Sequence, residues 1–245
     1  MPGAEVSASA DTPAVLDGAI PAPPSCRLSE VPSLSRKTDL LVLLMDMDEC
    51  RGIHSGYLSL EEKDRLQKYK SEHFKKRCTV SRSLLRLIAM RLLNLEDPSA
   101  VALEQRGCGG VSLEDGSGVH LCLSYSGSLV CLAISRVKVG IDIERIRPLS
   151  LPRLERHPLL FPLLPAGASP DPSPLSMLRS WTVFEACCKV QDTSLFDAFS
   201  RGLDLSGISY RTYAVCGDYL LSIATAGVLP AMDLRILDGE TVFQP

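Results

Sequence analysis

The run from Val119 to Glu144 constrains this chain most: short apolar stretches follow one another there, separated by turn residues too closely spaced to leave room for a helix. Residues 119–124, 129–135 and 137–144 read as three antiparallel strands in a meander, with Ser126-Gly127 at the first turn. Upstream, residues 39–47 form a compact apolar run, short enough for a buried strand. Ser59 followed by Glu62 matches a capping box and predicts a helix beginning near Leu60. Residues 73–94 carry Phe74, Cys78, Ser81, Leu85, Ile88 and Leu92 at three- and four-residue steps, so an amphipathic helix is expected, with Arg82 and Arg86 beside its apolar stripe. A second helix is expected over 176–190, and a hairpin over 208–215 and 219–226 around Cys216-Gly217-Asp218. The fold class is α+β.

Two of these elements carry chemistry. Strand alternation over 140–144 sends Asp142 and Glu144 to one face, which is read as solvent-facing, and Ile141 and Ile143 to the other. Helical spacing puts Trp181, Glu185 and Lys189 at successive i, i+4 positions, so a third carboxylate and a cation project together. Three hard oxygen donors suit magnesium held with water and a substrate phosphate. Each motif also has a plainer account, as a half-buried edge strand and as a helix flank with a solvated ion pair.

Composition narrows the partners. A net charge of −3 argues against bulk affinity for nucleic acid, yet Lys63, Arg65, Lys68, Lys70, Lys75, Lys76, Arg77, Arg82, Arg86 and Arg91 crowd one stretch against only Asp64 and Glu72. Aromatics are nearly absent from that run, and a small polyanion suits it better than nucleic acid. The nine cysteines have neither zinc-ligand spacing nor a disulfide pattern and point to a reducing cytoplasm. No apolar run is long enough to span a bilayer. Residues 1–34, rich in Ala, Ser and Pro without periodicity, read as a disordered leader, and the Pro-rich segment from Pro148 to Pro174 reads as loop.

VGIDIE at 139–144 and WTVFEACCK at 181–189, in that order, resemble the two signature stretches of the 4′-phosphopantetheinyl transferase superfamily. KKRCTVSRSLLRLIAMRLL at 75–93 is similar to the family's arginine-bearing helix, and LSYSGSLVCLAIS at 123–135 to its S-H-S hairpin, so the likeness covers the chain from about Asp39 onward. Length favours the longer, monomeric subtype represented by the surfactin-synthetase activator. The resemblance implies two similar α+β lobes forming an intramolecular pseudo-dimer, over 35–137 and 138–245, with the active cleft between them. It also implies magnesium-dependent transfer of 4′-phosphopantetheine from coenzyme A to a serine of an apo carrier protein. On the matching positions, Asp142, Glu144 and Glu185 are the expected metal ligands, and Glu185 and Lys189 the catalytic pair. Arg82, Ser124, Tyr125 and Lys189 are the expected coenzyme A contacts.

Three positions depart from the family pattern. Tyr125 stands where the S-H-S histidine would be, and Phe184 where a lysine would precede the glutamate, a place open to either the cleft rim or the core. A G-K-P-like segment appears only as RGCGGVSL around Gly109, without its lysine, and the further glutamate expected in the Pro-rich region is missing. Each change at the three positions removes a cation or potential cation, leaving a weaker hold on coenzyme A. A catalytically weak or inactive relative that binds coenzyme A or a carrier protein is the alternative.

Overall fold

The strands follow the apolar patterning closely. In the computed structural model, which describes residues 16–51, 55–105, 110–113, 118–147 and 173–243, the 39–47 run becomes β3 (Leu40–Asp46). Around it in chain order come β1 (Gly18–Ile20), β2 (Ser25–Cys26), β4 (Leu103–Gln105), β5 (Gly110–Leu113), β6 (His120–Ser126), β7 (Leu129–Ser135), β8 (Val139–Arg145), β9 (Ile208–Val215), β10 (Tyr219–Ala226) and β11 (Met232–Leu237). The helices are α1 (Val31–Lys37), α2 (Leu60–Gln67), α3 (Glu72–Leu93), α4 (Pro174–Val190), α5 (Leu195–Arg201) and α6 (Gly239–Val242). The fold is α+β. No helix among the described residues is long and apolar enough to cross a membrane.

Seven strands form one sheet in the order β2-β11-β3-β7-β6-β5-β4, and four form another, β1-β9-β10-β8. Because successive strand side chains point to opposite faces, β3 serves two cores. Leu41, Leu43 and Met45 join Leu121, Val130 and Leu132 beneath Leu84, Leu85 and Ile88 of α3. Leu40, Val42 and Leu44 join Cys122, Cys131 and Ala133 on the other face, against Ile141, Ile143, Leu221 and Ile223 of the smaller sheet. A third cluster, with Val183, Phe184 and Cys187, seats α4 on the far side of that smaller sheet at Ala224. The layers therefore run helix, sheet, sheet, helix.

Several expectations need correction. The 119–144 meander stops after two strands: β7 is already flanked by β3 and β6, so β8 has no free edge there and pairs instead with β10 in the smaller sheet. Residues 16–34 are not an unstructured leader. β1 pairs in parallel with β9 and β2 with β11, while Cys26, Leu28 and Val31 are buried. The division at 137/138 is crossed twice, since β11 completes the larger sheet and β1 the smaller. On α3 the apolar stripe reaches the core only from Val80 onward, and Phe74 stays 48% exposed. The 208–226 hairpin is found as expected, turning at Cys216 and Gly217 with φ of 49° and 82°. The segment around Gly109, most of 148–174 and residues 1–15 lie outside the described residues.

Candidate active site

The acidic strand lies at the edge of its sheet, and the way that edge is closed builds the site. An edge strand leaves every second N–H without a ladder partner. Here the side chains of β6, from the facing sheet, receive them: Cys122 Sγ accepts from Ile141 N at 3.3 Å, Ser124 Oγ from Ile143 N at 3.3 Å, and Ser126 Oγ from Arg145 N at 3.1 Å. The two hydroxyls then donate onward. Ser124 Oγ lies 2.8 Å from Asp142 Oδ1 and Ser126 Oγ 2.7 Å from Glu144 Oε2. Both acids are thereby fixed by charge-assisted bonds from the other sheet.

Helix α4 brings the remaining groups because Gly140 lets it approach. A Cβ at Gly140 would stand 2.0 Å from the Ala186 carbonyl oxygen, so only a hydrogen fits between β8 and the helix. At that distance Lys189 Nζ donates to the Ile141 carbonyl at 2.7 Å and to Asp142 Oδ1 at 3.0 Å. Lys189 and Asp142 are both buried, which overturns the expectation that Asp142 faces solvent. Phe184, whose position left rim and core both open, takes the core: it is 1% exposed, its ring centroid 4.9 Å from that of Phe199. It lies one position before Glu185, about 100° around the helix, and so turns into the core.

The opposite wall comes from the N-terminal half of α3. Phe74, Arg77, Cys78, Ser81 and Arg82 line a cleft of about 770 Å³ that they share with Arg65, Tyr69, Ser124, Tyr125, Ser126, Asp142, Glu144, Arg145, Arg147, Glu185 and Lys189. Every predicted site residue meets there. Arg86 does not: it is buried, with Nε 2.6 Å from Glu62 Oε2 and Nη1 bonded to the carbonyls of Pro98, Ser99 and Val101, so it ties α2 and the 98–101 loop to α3.

Carboxylates packed this closely repel one another. Burial, then the Asp142 charge, pushes the Glu185 carboxyl up to about 8 despite Lys189 nearby, and burial also raises Glu144. Burial alone would draw the Lys189 ammonium down, but the Asp142 carboxylate holds it above the usual lysine range. Asp142 Oδ2 is buried with no hydrogen-bond partner among the described residues. An unmet buried oxygen between acids, beside Glu144, is the environment a hard divalent cation relieves. As they stand, no three or more His, Cys, Asp or Glu side chains among the described residues are arranged so that they could hold a metal ion.

Sequence reasoning named Arg77 only within its basic stretch, and missed Ser126 as the partner of Glu144 and the close-approach role of Gly140. Ser126 was legible in principle, since it shares a strand face with Ser124 two residues away. No family model matches the chain, and no curated protein matches it in sequence.

Proposed function

We propose that the chain transfers 4′-phosphopantetheine from coenzyme A to a serine hydroxyl of an apo carrier protein, in a magnesium-dependent reaction, and that the two helix-backed sheets act as the lobes of an intramolecular pseudo-dimer. The observation that carries this reading is the meeting of Asp142, Glu144 and Glu185 on one wall of the cleft with Arg65, Arg77 and Arg82 on the other. Acids for a cation and arginines for phosphates face each other across a space wide enough for a nucleotide.

Asp142, Glu144 and Glu185 are the residues that would hold magnesium, which when bound would neutralise the diphosphate and polarise the scissile phosphorus. Arg82 makes no bond to a described residue and presents its fork to the phosphates. Glu185, which must be ionised to serve and would be once a cation offsets the charge of its neighbours, accepts the serine proton as the hydroxyl oxygen forms its bond to the pantetheine-side phosphorus. The bond from that phosphorus to the bridging oxygen breaks, and 3′,5′-adenosine bisphosphate leaves with the electron pair. Ser124 and Ser126 act indirectly, by orienting Asp142 and Glu144.

One observation favours the alternative of a weak or inactive relative that binds coenzyme A or a carrier. Lys189 already neutralises Asp142, so a metal has to share that carboxylate with an ammonium. Incubating the protein with magnesium, coenzyme A and several apo carriers, and weighing the carriers by mass spectrometry, decides between the two. Transfer is expected to add phosphopantetheine, and Asp142→Asn to slow it by about two to three orders of magnitude. Binding of coenzyme A with no mass added to any carrier would favour the alternative.

A further inference from the structure

Arg77 is held differently from the other cations of the cleft. Its guanidinium carbon lies 4.3 Å from the centre of the Phe74 ring and 4.1 Å from that of Tyr125, so one side chain joins α3 to the end of β6 through two aromatic rings. Stacking uses the flat faces of a guanidinium and leaves its in-plane N–H donors unspent. Those donors make no hydrogen bond or ion pair with any described residue. Phe74 and Tyr125 are themselves 48% and 39% exposed, large rings kept at the cleft mouth rather than drawn into a core. They steady a flexible cation that faces the cleft beside Arg82 and Arg65.

We propose that Arg77, steadied by Phe74 and Tyr125, is an anion-recognition residue that binds a phosphate group of the coenzyme A substrate. The proposal rests on the transferase reading of the same cleft. It also revises the account of Tyr125 as a lost cation. The tyrosine at the position of the family histidine brings no charge of its own, but its ring carries a guanidinium delivered from α3. Positive charge at the cleft mouth is relocated, and it becomes permanent, because arginine does not titrate near neutrality.

Calorimetric titration of coenzyme A and of 3′,5′-adenosine bisphosphate, with adenosine as the uncharged control, tests this on the full-length protein and its variants. Arg77→Gln is expected to weaken both phosphorylated compounds roughly tenfold or more, to leave adenosine unaffected, and to flatten the loss of affinity with added salt. Arg77→Lys recovers only part, because it restores charge without the planar fork. Tyr125→Leu weakens binding less than Arg77→Gln and adds nothing further in the Arg77→Gln background. Unchanged affinity in both Arg77 variants, with wild-type protein binding coenzyme A, overturns the role of Arg77 and leaves the transferase reading standing. Failure of the wild-type protein to bind either phosphorylated compound overturns both.

Discussion

A buried carboxyl beside another carboxylate keeps its proton, and Glu185 does so up to about pH 8, against an ordinary value of 4.5. Between those limits the folded chain holds more protons than the unfolded one, so this group makes stability fall as pH rises. Thermal melts without divalent cations are expected to show that decline from about pH 5 to 8, and Glu185→Gln to flatten it. An equally steep decline in the variant would assign it to another group. Phe184 yields a second expectation at this scale. Because its ring packs on Phe199 and Trp181, Phe184→Lys buries an unpaired ammonium and is expected to cost about 3 kcal/mol or more of stability. Carrier loading should not become faster; a stable variant with faster loading would put residue 184 at the cleft after all.

Between β8 and α4 the contact is backbone against backbone, and Gly140 is what allows it. Gly140→Ala is expected to push the helix away from the strand, lowering stability by about 1–3 kcal/mol and lengthening the reach from Lys189 to Asp142. Chemical denaturation and the magnesium dependence of carrier loading measure the two effects; wild-type values for both would mean that the helix shifts without consequence. The same contact shows what the sequence could and could not disclose. Elements with a repeating apolar face, such as β3, α3 and the 208–226 hairpin, were readable because burial imposes their period. Alternation in the strand paired Asp142 with Glu144 and spacing in the helix paired Glu185 with Lys189, while the meeting of the two pairs was implied by the family resemblance. Partnership was not readable: nothing local in 137–144 says that β7 has both edges occupied, and two- or three-residue strands such as β1 and β2 are held by backbone pairing that leaves no pattern of side chains. The burial of Asp142 was hidden for the same reason, since the layer that covers it comes from distant chain.

Across the whole molecule, each sheet borrows strands from the other end of the chain. β1 covers an edge of the smaller sheet and β11 joins the larger one at β3, so neither half has a finished sheet by itself. Removing the chain as far as Val31 is therefore expected to uncover β9 and β11 and to expose the sites of Cys26, Leu28 and Val31, costing about 3 kcal/mol or more. A melting temperature unchanged by that truncation would show that the N-terminal strands contribute little.

The hydroxyls and thiol of β6 that receive the amides of Ile141, Ile143 and Arg145 have a consequence for motion. Those three amides are shielded by the other sheet, whereas their alternating neighbours are shielded by β10 within their own. Parting of the two layers by a few ångströms would free the first set and leave the second untouched. Residue-resolved hydrogen exchange is thus expected to show two rates interleaved along a single strand, with Ser124→Ala quickening Ile143 and Ser126→Ala quickening Arg145. Uniform exchange along β8 would mean that the layers never separate without the strand unravelling as well. With two interleaved rates, the strand that carries the acids reports on the breathing of the cleft they line.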